Sequence, residues 1–279
     1  MKGLRITTKD IAGFREHLIL EERSAATIQK YIRDVKAFTE YAIGAVTKET
    51  VIAYKKHLQE HYAVRSVNSM LAAVNRFFRE MGWFGCIVKA LKIQREAFRS
   101  KERELSKEEY FRLLEAAKEN GNTRLYLLMQ TLCATGIRVS EVKYITVEAA
   151  RRGRTDISLK GKIRTILIPA KLCRKLLKYA QKHKTASGEI FLTRSGKSLS
   201  RRQIWAELKR LCKYAGVEPS KVFPHNLRHL FATTFYKACR DIVKLADVLG
   251  HSSIETTRLY LAASGAEHAR QMERLGLVS

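Results

Sequence analysis

The sequence predicts a mainly α-helical chain: an N-terminal helical bundle, then a mixed α/β domain that is mostly helical with a small antiparallel sheet. Three observations support this prediction. Apolar residues recur at helical spacing through residues 10–90 and again beyond residue 106. The stretch 156–169 changes to short apolar runs around a central glycine, which is typical of a β-hairpin. Only 3 prolines and 15 glycines interrupt 279 residues.

The N-terminal part is predicted to contain amphipathic helices with basic outer faces. After Ser24, apolar and aromatic side chains recur at helical spacing, with Ser24 or Thr27 as the N-cap and Gly44 near the end. Similar patterns predict helices over 51–58 and over 67–78. We expect these helices to form one small bundle.

A charged stretch separates this bundle from the rest of the chain. The run 89–104 is rich in Lys, Arg and Glu and has few apolar anchors, so we interpret it as a linker. A solvated helix is the alternative. The resulting boundaries are a helical domain over 1–92, a linker over 93–105 and a second domain over 106–279.

The second domain is predicted from its caps and its changes of period. Segment 124–135 is apolar on nearly all sides, which indicates a buried helix that ends at Gly136. A hairpin follows over 156–169 with Gly161 at its turn, and Glu189–Leu192 is predicted as a third short strand. Pairs typical of helix starts or stops are Ser106 with Glu109, Ser200 with Gln203, Asp241 with Gly250, and Ser252 with Glu255.

The charge balance points to a polyanionic partner. Lys and Arg number 53 against 27 Asp and Glu, a formal net charge of +26. The excess is +8 in residues 1–100 and +18 in the remainder, so it is not confined to a tail. Nucleic acid is the commonest partner of such a chain, and a solubilising surface that binds nothing is the alternative. The candidate DNA contacts are Lys30, Arg33, Arg65, Arg76, Arg201, Arg202, Lys209 and Arg210.

Several other classes of protein are disfavoured. The N-terminus lacks the apolar stretch of a signal peptide, and no run approaches the roughly 20 apolar residues of a membrane helix. The 5 cysteines are scattered without a CxxC pair, so neither a zinc site nor a disulfide framework is predicted. We expect no metal, no cofactor and no membrane partner, and a cytoplasmic, nucleoid-associated location with reduced thiols.

Chemically capable side chains cluster at the predicted structural breaks. Arg138 follows the buried helix, and Lys160 lies at the hairpin tip. Arginine forks bind phosphate oxygens bidentately, tyrosine can be a covalent nucleophile, and lysine or histidine can protonate a leaving oxygen. Each side chain taken alone is equally consistent with a structural role. The remaining members of this group are His225, Arg228, His251 and Tyr260.

Order and spacing resolve the pattern into three motifs. Three runs of the sequence resemble, in order, the three boxes of the tyrosine recombinases, the integrase and Xer-type family. They are Ala134-Thr-Gly-Ile-Arg-Val-Ser-Glu141, His225-Asn-Leu-Arg-His-Leu-Phe-Ala-Thr233 and Leu249-Gly-His-Ser-Ser-Ile-Glu-Thr-Thr-Arg-Leu-Tyr260. The N-terminal pattern Ser24-x-x-Thr27-x-x-x-Tyr31-x-x-Asp34-x-x-x-Phe38 resembles the family's core-site-binding domain. We expect no N-terminal arm-binding domain, because the core-binding pattern begins almost at once. Leu230 stands where a small polar residue is expected.

The resemblance implies a role for each matching residue. Arg138 and Arg228 would clamp the scissile phosphate, with Glu141 orienting the site. His225 would assist proton transfer, and His251 would bind a phosphate oxygen. Two further roles are implied. Tyr260 would attack to form a 3′-phosphotyrosine, and Lys160, with Lys162 as the alternative, would protonate the leaving 5′-hydroxyl.

The implied activity is site-specific DNA strand exchange through a Holliday junction, without metal or ATP, by four protomers on two double-stranded DNA sites. Mobile-element integration or excision and replicon dimer resolution both remain open. A second possibility is a DNA-binding or architectural protein without catalysis. A third is a metal hydrolase, suggested by His225 and His229 at helical spacing. Asn226, where a HExxH zinc site has glutamate, argues against it. Residues 266–279 carry an apolar stripe that could dock on their own domain or on a neighbouring protomer.

Overall fold

The computed structural model describes residues 4–93, 103–159, 162–261 and 273–274. The chain divides into two compact units, Met1–Arg95 and Glu96–Ser279. Most of the predicted linker lies outside the described residues, so its boundaries stay a prediction. No described helix is both long and apolar enough to cross a membrane. All 5 cysteines are unpaired.

Over residues 4–93, the first unit is a bundle of four α-helices around an aromatic core. Phe14, Phe38, Phe77 and Phe78 are fully buried, and their rings meet mostly edge to face. Ser24 caps the second helix through the backbone N–H of Thr27, as predicted. The helices are α1 (Thr8–Leu20), α2 (Ala25–Tyr41), α3 (Lys48–His61) and α4 (Val64–Glu80).

A buried carboxylate fixes the packing of α2 on α4. Asp34 is 1% exposed and accepts from Lys30 Nζ at 2.6 Å and from Arg33 Nη2 at 2.9 Å. Lys30 Nζ also donates to the carbonyl oxygen of Ser69 on α4 at 2.9 Å. Each buried charged oxygen of Asp34 therefore has a cationic donor, as burial of a carboxylate requires.

The second unit consists of helices around one small antiparallel sheet. Its elements are α5 (Lys107–Glu119), α6 (Thr123–Thr135), α7 (Val147–Arg152), β1 (Arg154–Leu159), β2 (Lys162–Leu167), α8 (Ala170–Lys182), α9 (Arg201–Ala215), α10 (Pro224–Cys239), α11 (Ile242–Leu249) and α12 (Ile254–Leu261). The predicted fold class is confirmed in both units.

The predicted breaks of the second unit form the frame of the site. The buried helix α6 ends at Gly136, whose φ of 61° lies in the left-handed region. A Cβ at Gly136 would lie 2.3 Å from the Phe231 ring, so the position requires glycine for space as well. Strands β1 and β2 form the predicted hairpin, with Ile157 paired to Arg164. The turn residues 160–161 lie outside the described ranges.

Three details differ from the sequence predictions. Glu189–Leu192 is not a strand, because Glu189 and Leu192 each form only an isolated bridge, with Thr146 and Ser198 respectively. Ser253 rather than Ser252 accepts the backbone N–H of Glu255 at 3.2 Å, a shift of one residue. Helix α2 ends at Tyr41, before the predicted Gly44.

Candidate active site

Arg228 occupies the centre of a polar cluster inside the second unit. It is 2% exposed on α10, where only a paired charge is tolerated. Its Nη1 donates to the carbonyl oxygen of Gly136, and its Nη2 donates to that of Leu249 at 2.8 Å. These two carbonyls are C-terminal ends of α6 and α11, the helix ends that favour cations. The guanidinium thus joins three helices.

His251 adopts a defined tautomer beside Arg228. Arg228 Nη2 lies 2.9 Å from His251 Nε2 and is a donor only, so Nε2 accepts. The proton is therefore on Nδ1, which donates to the hydroxyl of buried Thr257 at 2.9 Å. Burial, followed by the charges of Arg228, Arg138 and Arg164, lowers the pKa of His251 to about 4. The ring is neutral at pH 7.

Tyr260 brings its hydroxyl to the same guanidinium. The side chain is 7% exposed on α12, and Arg228 Nε donates to its oxygen over 3.4 Å. The His251 ring stacks on Tyr260 at 5.6 Å between centroids. His225, the exposed second residue of α10, lies 5.4 Å away by the same measure. A nucleophile candidate, a cation and two imidazoles are thereby assembled from the second and third sequence motifs.

Arg138 is the exposed arginine of the cluster, and Glu141 holds it. The guanidinium donates through Nη1 to Glu141 Oε1 at 3.0 Å, and the Arg138 backbone N–H donates to Glu141 Oε2 at 2.8 Å. The Arg138 side chain is 43% exposed, whereas Glu141 is fully buried. One edge of the fork is therefore fixed while the rest faces outward.

Two residues of the cluster were missed by the sequence predictions. Arg164 on β2 donates to both carboxylate oxygens of Glu141. His229 lies 5.4 Å from the Tyr260 ring, and its Nε2 is 3.8 Å from Glu104. His229 had been considered only as a metal ligand, although its spacing of four residues from His225 already places both on one helix face.

The two candidate proton donors, Lys160 and Lys162, follow strand β1 in the sequence. Lys160 lies outside the described residues, and only the backbone of Lys162 is described, at the start of β2. Leu230, the residue that departs from the family pattern, is buried. The choice between Lys160 and Lys162 as the proton donor stays open.

The basic residues predicted to contact DNA lie in different environments. Arg65 is exposed on α4 and Arg201, Arg202 and Arg210 are exposed on α9. Lys30 and Arg33 bind Asp34, and Arg76 binds Glu21 and His17. Lys209 lies over the Trp205 ring at 5.2 Å and donates to the Pro219 carbonyl oxygen.

The contacts of Asn226 near Tyr260 do not support the metal-hydrolase interpretation. Asn226, at the position that a zinc site gives to glutamate, donates to the backbone oxygens of Arg103 and Lys221, both at 2.7 Å. Among the described residues, the only group of three ligands within 4.8 Å of one another is His57, Glu60 and His61, exposed on α3 of the other unit.

Comparison with known families assigns both units. Residues 103–267 match the phage integrase family, and residues 11–83 match the phage integrase N-terminal SAM-like domain. Tyrosine recombinase XerA of Thermococcus kodakarensis is 31% identical over 271 residues, which span 94% of this chain and 93% of the relative. Tyrosine recombinase XerA of Pyrococcus furiosus is 27% identical and spans 100% and 98% respectively.

Solved structures share the fold. The crystal structure of XerA recombinase is 23% identical, has a TM-score of 0.53 and covers 98% of this chain and 100% of that one. A lambda integrase tetramer bound to a Holliday junction is 20% identical, has a TM-score of 0.73 and covers 92% of this chain and 77% of that one.

A SAM-like helical unit followed by a unit that assembles two arginines, two histidines and a tyrosine defines the class of tyrosine recombinases. The chain belongs to the phage integrase family.

Proposed function

We propose that this protein is a site-specific DNA recombinase that cuts and rejoins strands through Tyr260. The observation that carries the proposal is the contact of the Tyr260 oxygen with Arg228 Nε, inside a cluster that also contains His225 and His251. Because that oxygen accepts from Arg228, its own proton is available to a base. The phosphate that Arg228 binds would then lie next to the attacking atom.

The chemistry is a transfer of one phosphodiester bond. The Tyr260 oxygen attacks phosphorus, the bond from phosphorus to O5′ breaks, and a 3′-phosphotyrosine forms. His225 assists transfer of the phenol proton, and Lys160 or Lys162 gives a proton to O5′. A 5′-hydroxyl from the second duplex reverses these steps, so the reaction needs neither ATP nor metal.

The arginines supply the positive charge that the five-coordinate phosphorus needs. Arg138 and Arg228 bind its non-bridging oxygens through charge-assisted hydrogen bonds. His251 hydrogen-bonds a phosphate oxygen once its Nε2 carries a proton, which requires Arg228 to release that nitrogen as it turns to the phosphate. Glu141 keeps Arg138 oriented.

Double-stranded DNA is the proposed partner, and four copies of the chain on two sites are the proposed assembly. The net charge of +26 and the exposed arginines of α9 support DNA as the ligand. The DNA-bound tetramer of lambda integrase supports the assembly by analogy of fold. We assign residues 1–92 to core-site binding, 93–105 to a linker, 106–279 to catalysis and strand exchange, and the protein to the cytoplasm and nucleoid.

A nicked DNA substrate tests the proposal. When the short strand beyond the cleavage point diffuses away, religation is prevented and the covalent complex accumulates as an SDS-resistant band. Tyr260→Phe keeps the ring and removes the attacking oxygen, so it should bind DNA but give no band. Tyr236→Phe is the matched control, because Tyr236 packs against the same small core and should leave the band intact. Trapping by Tyr260→Phe, or none by the unmodified protein in EDTA, would contradict the proposal.

A further inference from the structure

Arg164 is a buried cation on the inner face of a strand. Its side chain is 8% exposed, and its strand neighbour two residues on, Ile166, is buried in the core. An arginine in such a place needs an ionic partner. That partner is Glu141, since Arg164 Nη1 donates to Oε1 at 3.2 Å and to Oε2 at 3.0 Å.

The same carboxylate also holds Arg138. Glu141 Oε1 accepts from the guanidinium of Arg138, and Oε2 accepts from its backbone N–H, so both oxygens are shared between two arginines. One negative charge therefore orients two positive ones. If the contact of Arg164 with Glu141 is lost, the position of the Glu141 carboxylate changes. The orientation of the Arg138 guanidinium then changes with it, because that carboxylate holds it.

Arg164 is also held against the segment that carries His251. A Cβ on Gly250 would lie 2.2 Å from Arg164 Cδ and 2.9 Å from Arg164 Nε, so the arginine stem fills the space left by the glycine. Gly250 has a φ of 63° and directly precedes His251. Arg164 thus contacts parts of the first and third motifs at once.

The guanidinium retains donors that the described residues do not use. Nε and Nη2 of Arg164 are buried and have no hydrogen-bond partner among them. Arg76 and Arg124 each leave one such buried donor, Nε, without a partner, whereas Arg164 leaves two. Because each unsatisfied buried donor is costly, the position of Arg164 calls for an explanation beyond its ion pair with Glu141.

We infer that Arg164 is a third arginine of the phosphate site, a positioning residue that fixes the Arg138 guanidinium through their shared carboxylate, Glu141. This inference rests on the proposed function, because only strand cleavage gives Arg138 a phosphate to bind. Arg164 itself does not contact the reacting atoms. Its hydrogen bonds to both carboxylate oxygens hold Glu141 between the two guanidinium groups, so Arg138 is oriented before DNA arrives.

The test is a double-mutant cycle on the first cleavage step, measured under single turnover with saturating nicked DNA. Arg164→Met should slow formation of the covalent complex about tenfold to a hundredfold without weakening DNA binding. In an Arg138→Lys background, the same substitution should have less than about a threefold further effect, because the fork it positions is already lost. A purely structural role would multiply the two losses.

Arg124→Met is the matched control. Arg124 forms another largely buried ion pair of the second unit, donating to Glu207 at 2.6 Å, so its loss should lower the melting temperature while leaving the cleavage rate unchanged. Arg164→Lys keeps the charge but offers one donor centre, and it should cleave at an intermediate rate. It also serves as the test if Arg164→Met does not fold.

Three outcomes would overturn the inference. The first is that the two losses multiply in the cycle, and the second is that Arg124→Met slows cleavage as much as Arg164→Met does. The third is a wild-type cleavage rate for Arg164→Met or, if that variant does not fold, for Arg164→Lys. Failure of the unmodified protein to form any covalent complex would instead contradict the proposed function. The two failures are therefore distinguishable in one assay.

Discussion

Among the described residues, each unit contains an almost fully buried carboxylate that binds two cations. The two clusters differ in which hydrogen-bond donors are left without a partner. Asp34 binds Lys30 and Arg33, which lie on its own helix and are 33% and 73% exposed respectively. Glu141 binds Arg138 beside it and Arg164 from a strand. The first cluster ties two helices together. The second joins separate motifs and leaves buried guanidinium donors without partners.

The comparison teaches that burial of an ion pair alone does not identify a functional site. In the Asp34 cluster, solvent screens the exposed Arg33 guanidinium, and Lys30 donates to both Asp34 and the Ser69 carbonyl oxygen. In the Glu141 cluster, a further buried cation, Arg228, lies close enough to lower the pKa of Arg164, although burial is the larger cause. Uncompensated positive charge in a buried cluster indicates an anionic ligand.

The largest expected difference between the clusters comes from replacing an arginine by lysine. Arg228→Lys should slow strand cleavage at least about a hundredfold, because one ammonium cannot replace a fork that reaches Gly136, Leu249 and Tyr260 at once. Arg33→Lys should cleave normally. Single-turnover cleavage at saturating DNA checks both. Near-normal cleavage by Arg228→Lys would show that the site does not depend on the fork.

Neutralising each carboxylate should separate stability from chemistry. Asp34→Asn should lower the free energy of unfolding by about 1–3 kcal/mol, because it weakens the link from α2 to α4, with little change in cleavage rate at saturating DNA. Glu141→Gln should slow cleavage about tenfold or more as Arg138 loses its orientation. Thermal unfolding and cleavage kinetics are measured together. Equal rate losses in both variants would remove the distinction.

Two glycines allow a test of how packing around the Glu141 cluster affects stability and cleavage. Gly216 and Gly250 both have left-handed φ, 58° and 63°, but a Cβ has open space at Gly216 and meets Arg164 at Gly250. Gly216→Ala should cost about 1–2 kcal/mol of backbone strain. Gly250→Ala should cost at least about 1 kcal/mol more from overpacking and should also slow cleavage. Chemical denaturation gives the stability difference. Equal costs would mean that Arg164 yields freely.

The smallest expected effect is a pH dependence of stability that His251 contributes to the second unit. The pKa of His251 is lowered to about 4 in the folded protein, against 6.5 ordinarily. Between these values the unfolded chain binds the proton more, so stability falls as pH falls from 6.5 to 4. The full shift corresponds to about 3.4 kcal/mol, and because the His251 ring is only partly buried, solvent screening reduces the expected loss to about 1–2 kcal/mol. His251→Gln should flatten that part of the unfolding curve, and an unchanged slope would contradict the assigned environment.

Caps and glycines made much of the fold predictable from the sequence. Ser106, Ser200, Gly136 and Gly250 each begin or end a helix where their local chemistry predicts. The prediction at Ser252 was wrong because Ser253 lies next to it, and either hydroxyl can accept an N–H of the first turn. The predicted strand at Glu189–Leu192 failed because its ends pair with different segments.

The candidate site was predictable where motifs stand at helix ends and less so within the hairpin. Arg164 was overlooked as an ordinary strand residue, although strand alternation already placed it on the face of buried Ile166, opposite exposed Ile163 and Leu167. A charged residue on the inner face of a strand was the available signal. Its sharing of Glu141 with Arg138 could not be predicted, because it depends on how β2 packs against a distant turn.

The central claim is that the Tyr260 oxygen is the nucleophile that forms the protein–DNA bond. Peptide mapping tests this claim most directly. The covalent complex is trapped on nicked DNA, treated with nuclease and digested with trypsin, which releases Leu259–Arg270 with Tyr260 as its only tyrosine. We predict a nucleotide mass on this peptide, fragmented to Tyr260. An adduct on any other peptide, or an unmodified Leu259–Arg270 from a purified covalent complex, would contradict the account.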